Sequence, residues 1–274
     1  MALKKQFMTS VCVLNSCGGG FGNLLFQVCA LYTHAQKHHY VPIFNSNYHE
    51  TKRPRIEEYK DLFNFVNIVP INVNLREWHE PSPTTFTLIP NNVQCIKGYL
   101  QSYQYFWDCR DRIMGCLKQH VKYQAASEKI QGGETGFVHY RRTDYLNHPN
   151  FHPTCTDEYY QTCLVEMLNI CDLIYVFSDD IEYVKTREYL RHEKVKFVEE
   201  EDVVIAFFMM TQCKHAVIAN SSLSLLGMLF SVHHITGQLS DHLHFAPKVW
   251  FGKDGPRYSH VDMMPLEEMN ITVV

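Results

Sequence analysis

Arg141 and Arg142 stand side by side in His139-Tyr140-Arg141-Arg142-Thr143-Asp144-Tyr145, directly after Phe137-Val138, which read as the end of a buried strand fed by the Gly132-Gly133 loop. A guanidinium is a planar fork of donors, charged at any physiological pH, that grips phosphate oxygens two at a time. Two in a row fit a diphosphate. The competing reading pairs them with Asp144 and a nearby carboxylate such as Glu134, as adjacent loop charges often do. Two further segments favour the anion. Leu173 to Phe177 is an apolar run that stops at Ser178-Asp179-Asp180, and Ala216 to Ala219 stops at Asn220-Ser221-Ser222. Leu223, Leu225, Leu226, Met228 and Leu229 then supply a helix, so Ser221 and Ser222 sit where an anion meets free backbone N–H groups. Ligands of open α/β sheets bind at such strand ends.

The elements that position these residues alternate strand and helix in two halves, 1–130 and 131–274, with Gln131 to Gly133 as the junction. Val11 to Leu14 is a strand running into Gly18-Gly19-Gly20, and Asn23 to His39 follows as a helix. Residues 42–95 are rich in Pro and Asn, with Phe65 to Val69 as a short strand. Gly98 to Tyr105 leads to a helix from Asp108 to Val121. The second half reads as strand Phe137 to Tyr140, helix Asp157 to Asn169, strand Leu173 to Phe177, helix Ile181 to Arg191, strand Lys196 to Val198, and a helix beginning at Asp202. Met209-Met210 in that last helix is core filler. Asp202 has two readings, a helix N-terminal charge or an acceptor for a nucleotide. Asp179 and Asp180 have the bland reading of capping the helix that starts at Ile181.

Composition fits a compact soluble enzyme: 274 residues, 46% hydrophobic and 13% aromatic. A net charge of −4 gives no reason to expect nucleic acid or an anionic membrane as a partner. The 10 cysteines read as reduced, since a chain this size needs no disulfide framework and shows no signal peptide. No Cys-x-x-Cys occurs, and the pairs His38-His39 and His233-His234 lack metal-ligand spacing, so no metal is expected. No apolar run approaches a membrane span, and the first ten residues carry only Lys4 and Lys5 as charges, so a cytoplasmic location is expected.

Six segments, in order, carry a resemblance: Gly18-Gly19-Gly20-Phe21-Gly22-Asn23-Leu24-Leu25-Phe26-Gln27, Gly98-Tyr99-Leu100-Gln101-Ser102, the arginine motif, Phe177-Ser178-Asp179-Asp180, Asn220-Ser221-Ser222-Leu223-Ser224, and Pro247-Lys248-Val249-Trp250-Phe251. Together they resemble the alpha-1,2-fucosyltransferases, glycosyltransferase family 11, within the GDP-fucose enzymes that share His-x-Arg-Arg-x-Asp. The chain departs from that pattern at Thr143, at Leu225-Leu226 in place of paired tryptophans, and at Leu24 in place of glutamine. Thr143 and Phe151-His152-Pro153 are similar to features of the alpha-1,6-fucosyltransferases instead.

The resemblance implies a GT-B-like α/β fold with two Rossmann-like halves facing a cleft, the first half holding the glycine loop and the acceptor side and the second the GDP-sugar. It implies inverting transfer of L-fucose from GDP-fucose to a hydroxyl of a glycan acceptor, the 2-OH of galactose foremost, with no metal required. The donor would be bound by Gly20, Gly22, Asn23, His139, Arg141, Arg142, Asp202, Ser221 and Ser222, with His139 on the guanine side. Arg142 would act in catalysis by stabilising charge on the leaving diphosphate. Asp144, His148 and His152 lie in the loop from which the acceptor's proton could be taken, Asp144 equally able to orient the arginines. The alternatives are a same-fold transferase with another nucleotide sugar or linkage, and a non-catalytic nucleotide-sugar or glycan-binding protein.

Overall fold

The computed structural model describes residues 11–47, 56–233 and 242–274; Lys4, Lys5 and His234 lie outside them. The chain divides into two compact units, one running through His120 and including Ser259–Met264, the other comprising Val121–Tyr258 and Pro265–Val274. The division therefore falls at His120 rather than at residue 130. The expected helix Asp108 to Val121 is broken, and Arg110–Leu117 (α2) ends before a separate helix, Val121–Ser127 (α3). Tyr123 of α3 meets Phe208 of helix Val203–Thr211 edge-on at 5.4 Å, which ties α3 to the second unit.

In the first unit the described strands are Val11–Ser16 (β1), Val41–Asn45 (β2), Asn67–Val69 (β3), Glu77–His79 (β4) and Cys95–Gly98 (β5), all parallel in the order β3-β2-β1-β5-β4. The stretch 42–95, which looks irregular in sequence, thus holds most of this sheet. Strands of three to five residues are too short to show a two-residue period. Helix Phe21–His38 (α1) is buried from Leu24 to Ala35, as an all-round apolar helix must be. It closes at His39, which takes a left-handed φ of 58° and donates its N–H back to the Ala35 and Gln36 carbonyls.

In the second unit Thr135–Tyr140 (β6), Leu173–Ser178 (β7), Val195–Phe197 (β8), His215–Val217 (β9), His244–Ala246 (β10) and Ile271–Val273 (β11) are parallel, in the order β11-β10-β9-β6-β7-β8. Every residue of β6 is buried, the mark of a central parallel strand covered on both faces. Val138 and Tyr140 pack on Tyr160, Cys163 and Met167 of helix Asp157–Ile170 (α4). That helix crosses so closely that a Cβ on Gly136 would lie 2.2 Å from the Met167 methyl. Phe137 faces Phe177 on the other side, ring centroids 6.2 Å apart.

The expected helix Ile181 to Arg191 stops early, as Ile181–Lys185 (α5), where the Thr186 hydroxyl donates back to the Tyr183 carbonyl. Val203–Thr211 (α6) and Ser222–Leu229 (α7) follow Asp202 and Ser221 as the sequence indicates. His260–Met263 (α8) belongs to the first unit. Among the described residues no helix is long and apolar enough to cross a membrane. The 10 cysteines are free thiols. Burial pushes thiols such as Cys12 up to about 12, which leaves them unreactive.

Candidate active site

Parallel register alone builds the arginine site. Tyr140 pairs with Ser178, so the residues just past β6 and β7 leave the sheet side by side. Asp179 gathers the loop: one oxygen accepts the Arg142 N–H at 2.9 Å, and the other accepts the Thr143 N–H at 3.2 Å and the Thr143 hydroxyl at 2.5 Å. That second oxygen also lies 3.0 Å from an Arg141 terminal nitrogen. Thr143, a departure from the family pattern, therefore has a task, which is to fasten the arginine loop to β7.

The two arginines are not equivalent. Arg141 has both terminal nitrogens engaged, one on Asp144 at 2.7 Å and one on Asp179 at 3.0 Å. Arg142 uses Nε on Asp180, at 3.2 Å, and lays its guanidinium carbon 3.2 Å from the centroid of the Tyr183 ring. No carboxylate meets its terminal nitrogens among the described residues. A guanidinium oriented by Nε and stacked on a ring keeps its outer fork for a bidentate oxyanion. The pairing reading was therefore right about Asp144, but the second carboxylate is not Glu134. Glu134 sits at the opposite end of β6, where it pairs with Lys214 at 2.9 Å and His215 at 3.0 Å. Asp180 also caps α5, accepting the Tyr183 N–H.

His139 is buried beneath this loop, and its Nδ1 has no hydrogen-bonding partner. Burial, reinforced by Arg141 and opposed by Asp179, pushes its pKa down to about 4, so the ring is neutral and keeps a polar atom for a ligand. Of the three proton-acceptor candidates, Asp144 is clasped by Arg141 and His148 is exposed. His152 is half-buried, its ring stacked on Tyr145 at 4.6 Å and tilted to Phe251 at 5.5 Å. Burial lowers its pKa, partly offset by Asp144, so it too is neutral near pH 7.

The serine segment follows β9, the strand on the other side of β6. Ser221 is buried, caps α7 through its backbone carbonyl, and makes no side-chain cap bond. Asn220 joins three loops. Its side-chain amide donates to the carbonyls of Pro153 at 2.8 Å and Trp250 at 2.9 Å, while its backbone carbonyl accepts the Tyr145 hydroxyl at 2.8 Å. The Pro247-Lys248-Val249-Trp250-Phe251 segment is thereby drawn to the arginine loop. The sequence marks Asn220 within its motif but gives no sign of this joining role. Asp202 fills the capping role: one oxygen accepts the Val204 and Ile205 N–H groups at 2.9 and 3.3 Å, and the other pairs with Lys122 at 2.6 Å. A nucleotide would have to share a carboxylate that is already engaged.

The first unit brings its own two motifs together. β1 and β5 are neighbours, so the glycine loop and the segment after Gly98 emerge side by side, and Gln101 donates to the Asn23 side chain at 2.7 Å. Gly18 and Gly19 have positive φ, and a Cβ on Gly19 would lie 2.1 Å from the Asn23 amide nitrogen. Gln27 holds the turn from inside, accepting the Cys17 N–H and donating to the Gly18 carbonyl. Gly20 offers no side-chain acceptor to the first turn of α1, and Gly22 is buried in that turn. Glu80, which the sequence does not single out, sits against Gly98 and accepts the Leu100 N–H at 2.9 Å. Burial pushes its pKa up to about 7.

The Glycosyl transferase family 11 model matches residues 30–236. The chain is similar to an alpha-1,2-colitosyltransferase of Escherichia coli, 28% identical over 169 residues that cover 57% of this chain and 56% of the relative. It is also similar to the O-antigen biosynthesis glycosyltransferase WbnK of Escherichia coli, 26% identical over 178 residues covering 58% and 56%. The chain thus spans just over half the length of these curated relatives. Among solved structures, NodZ alpha-1,6-fucosyltransferase soaked with GDP-fucose superposes with a TM-score of 0.50 at 11% identity, covering 81% of this chain and 92% of that one. Fucosyltransferase NodZ from Bradyrhizobium gives a TM-score of 0.50 and 11% identity over 80% and 92%. At that identity the likeness is one of fold, and it agrees with the GT-B-like α/β class expected from the sequence.

Proposed function

The chain belongs to glycosyltransferase family 11, and from that premise we propose that it transfers L-fucose from GDP-fucose, with inversion, to a hydroxyl of a glycan acceptor, the 2-OH of galactose first among them. The observation that carries this reading is Arg142, whose outer fork is left open while Asp180 and Tyr183 hold the rest of the group. In the reaction the anomeric carbon–oxygen bond breaks, negative charge grows on the leaving diphosphate, and the acceptor oxygen attacks from the opposite face. Arg142 receives that charge, with Ser221 and Ser222 of the same unit as further donors. Arg141, tied to Asp144 and Asp179, holds the loop and adds its field. Asp144 orients, and the acceptor's proton goes to His152 or His148.

No metal is needed in this scheme, because guanidinium groups neutralise the diphosphate, and the oxygens of Asp179 and Asp180 are occupied by amide, hydroxyl and guanidinium donors. The free thiols support a cytoplasmic setting. A second reading, the same chemistry with another nucleotide sugar, has the support of the relative named as an alpha-1,2-colitosyltransferase. Donor hydrolysis by the purified protein across a panel of nucleotide sugars decides between them. Turnover of GDP-fucose above the rest is expected, preference for another donor gives the second reading, and no turnover or binding of any of them removes both.

A further inference from the structure

The first unit contains a polar cavity that none of the motifs accounts for. The face of its sheet away from α1 is apolar along most of its length, with Val11, Val13, Ile43 and Cys95 under Ile71 and Leu75. At the carboxyl edge the same face turns polar. Asn15 continues the row of Val11 and Val13, Asn45 continues that of Ile43, and Glu77 lies opposite Cys95. The three are linked: Asn45 Nδ2 donates to Asn15 Oδ1 at 2.8 Å, and Asn15 Nδ2 donates to Glu77 Oε1 at 2.7 Å. Asn45 Oδ1 is fixed in turn by the N–H groups of Asn47 and Ile71. Above this chain lies a cavity of about 410 Å³ with Val73 and Asn74 on its rim, within the roughly 300–1,000 Å³ of small-molecule sites.

Most pockets of that size have mainly apolar walls with a few polar groups; this one is lined mostly by amide and carboxylate atoms. Burying Asn15 and Asn45 where valine or isoleucine would fit costs stability unless the polar groups serve something. Each amide is locked by its neighbour yet has capacity left: Glu77 keeps lone pairs beyond those used by Asn15 on Oε1 and by His79, 2.9 Å from Oε2, Asn15 Nδ2 has a second hydrogen, and Asn74 an exposed amide. Among the described residues the wall carries a carboxylate and no cation, which does not suit an anion, and it has no aromatic ring on which a base could stack. Fixed donors alternating with fixed acceptors match vicinal hydroxyls, each of which donates and accepts.

We propose that this cavity binds a neutral pyranose ring of the acceptor glycan, gripped by Asn15, Glu77 and Asn74. The assignment rests on the glycosyltransferase reading, and the experiment keeps the two apart. Methyl β-D-galactopyranoside is followed by saturation-transfer NMR in the presence of GDP, and GDP affinity is measured separately by calorimetry on the unmodified protein. Saturation of the ring protons is expected. It should vanish in Val73→Trp, which fills the cavity from an exposed position, and weaken about three- to tenfold in Asn74→Ala, the share of one neutral hydrogen bond. Absence of saturation while GDP binds, saturation that survives both substitutions, or displacement of the sugar by guanosine each overturns the proposal. Saturation lost in Val73→Trp in a protein that does not bind GDP keeps the cavity and removes the donor reading instead.

Discussion

Replacing Arg142 with lysine should separate anion binding from loop structure, because the neighbouring Arg141 provides the opposite case. Lysine at 142 keeps the positive charge but loses the fork, the contact to Asp180 at 3.2 Å and the stack on Tyr183. A hydrogen bond to a charged group contributes about 1.5–3 kcal/mol. Losing one of the two that a diphosphate oxygen pair would receive should therefore weaken GDP about 10- to 150-fold. Stability should change by less than about 1 kcal/mol, since the lost contacts lie at a part-exposed rim. Lysine at 141 should do the reverse: one ammonium cannot span Asp144 and Asp179 as the guanidinium does at 2.7 and 3.0 Å. Melting temperature should fall first there, by roughly 1–2 kcal/mol of stability, with a smaller loss of GDP affinity. Calorimetry with GDP and denaturant unfolding on both variants read the two quantities. GDP binding unchanged in Arg142→Lys, or a larger loss in Arg141→Lys, would refute the division of labour between them.

Four other outcomes follow from the geometry. Asp202→Ala should cost about 1 kcal/mol through loss of the α6 cap with GDP affinity unchanged; a tenfold fall in affinity would give that carboxylate the nucleotide role as well. His139, His244 and His34 all have pKa values depressed to about 4 by burial, so the unfolded chain binds more protons below its own value of about 6.5. Stability should accordingly be lost as pH falls from there towards 4, with a shallower slope in His139→Gln; an identical slope would show that His139 is not held neutral. Glu80 works in the other direction, since its raised pKa means that the stability it contributes is full at low pH and is lost as pH rises through about 7. Glu80→Gln, which still accepts the Leu100 N–H, should therefore melt higher than the parent at pH 8 and no higher at pH 4, and equal melting at both would discard the buried-acid interpretation. Transfer should persist in EDTA, whereas loss that manganese or magnesium restores would make Asp179 and Asp180 metal ligands.

The sequence by itself determined the ingredients. The apolar runs of β6 and β7, the capped helices α4 and α6, and the motifs that close strands at polar residues are local patterns, carried by runs long enough to show their period or end signals. The short strands β2 and β4 were not legible, because three to five residues among prolines and asparagines carry no period. The domain division was displaced for a related reason: only packing on α6 decides that α3 belongs to the second unit. Partner choice was the other matter left to tertiary structure. Glu134 is close to Arg141 in sequence but sits at the far end of the same strand. Asp179 is 37 residues from Arg142 and accepts its N–H at 2.9 Å. No one-dimensional signal distinguishes those two carboxylates; the parallel register of Tyr140 against Ser178 does. The same register logic sets Gln101 against Asn23, and it lines Asn15, Asn45 and Glu77 along one edge of the first sheet. Residue type told what each group can bind, and the sheet decided which groups remain open to bind it.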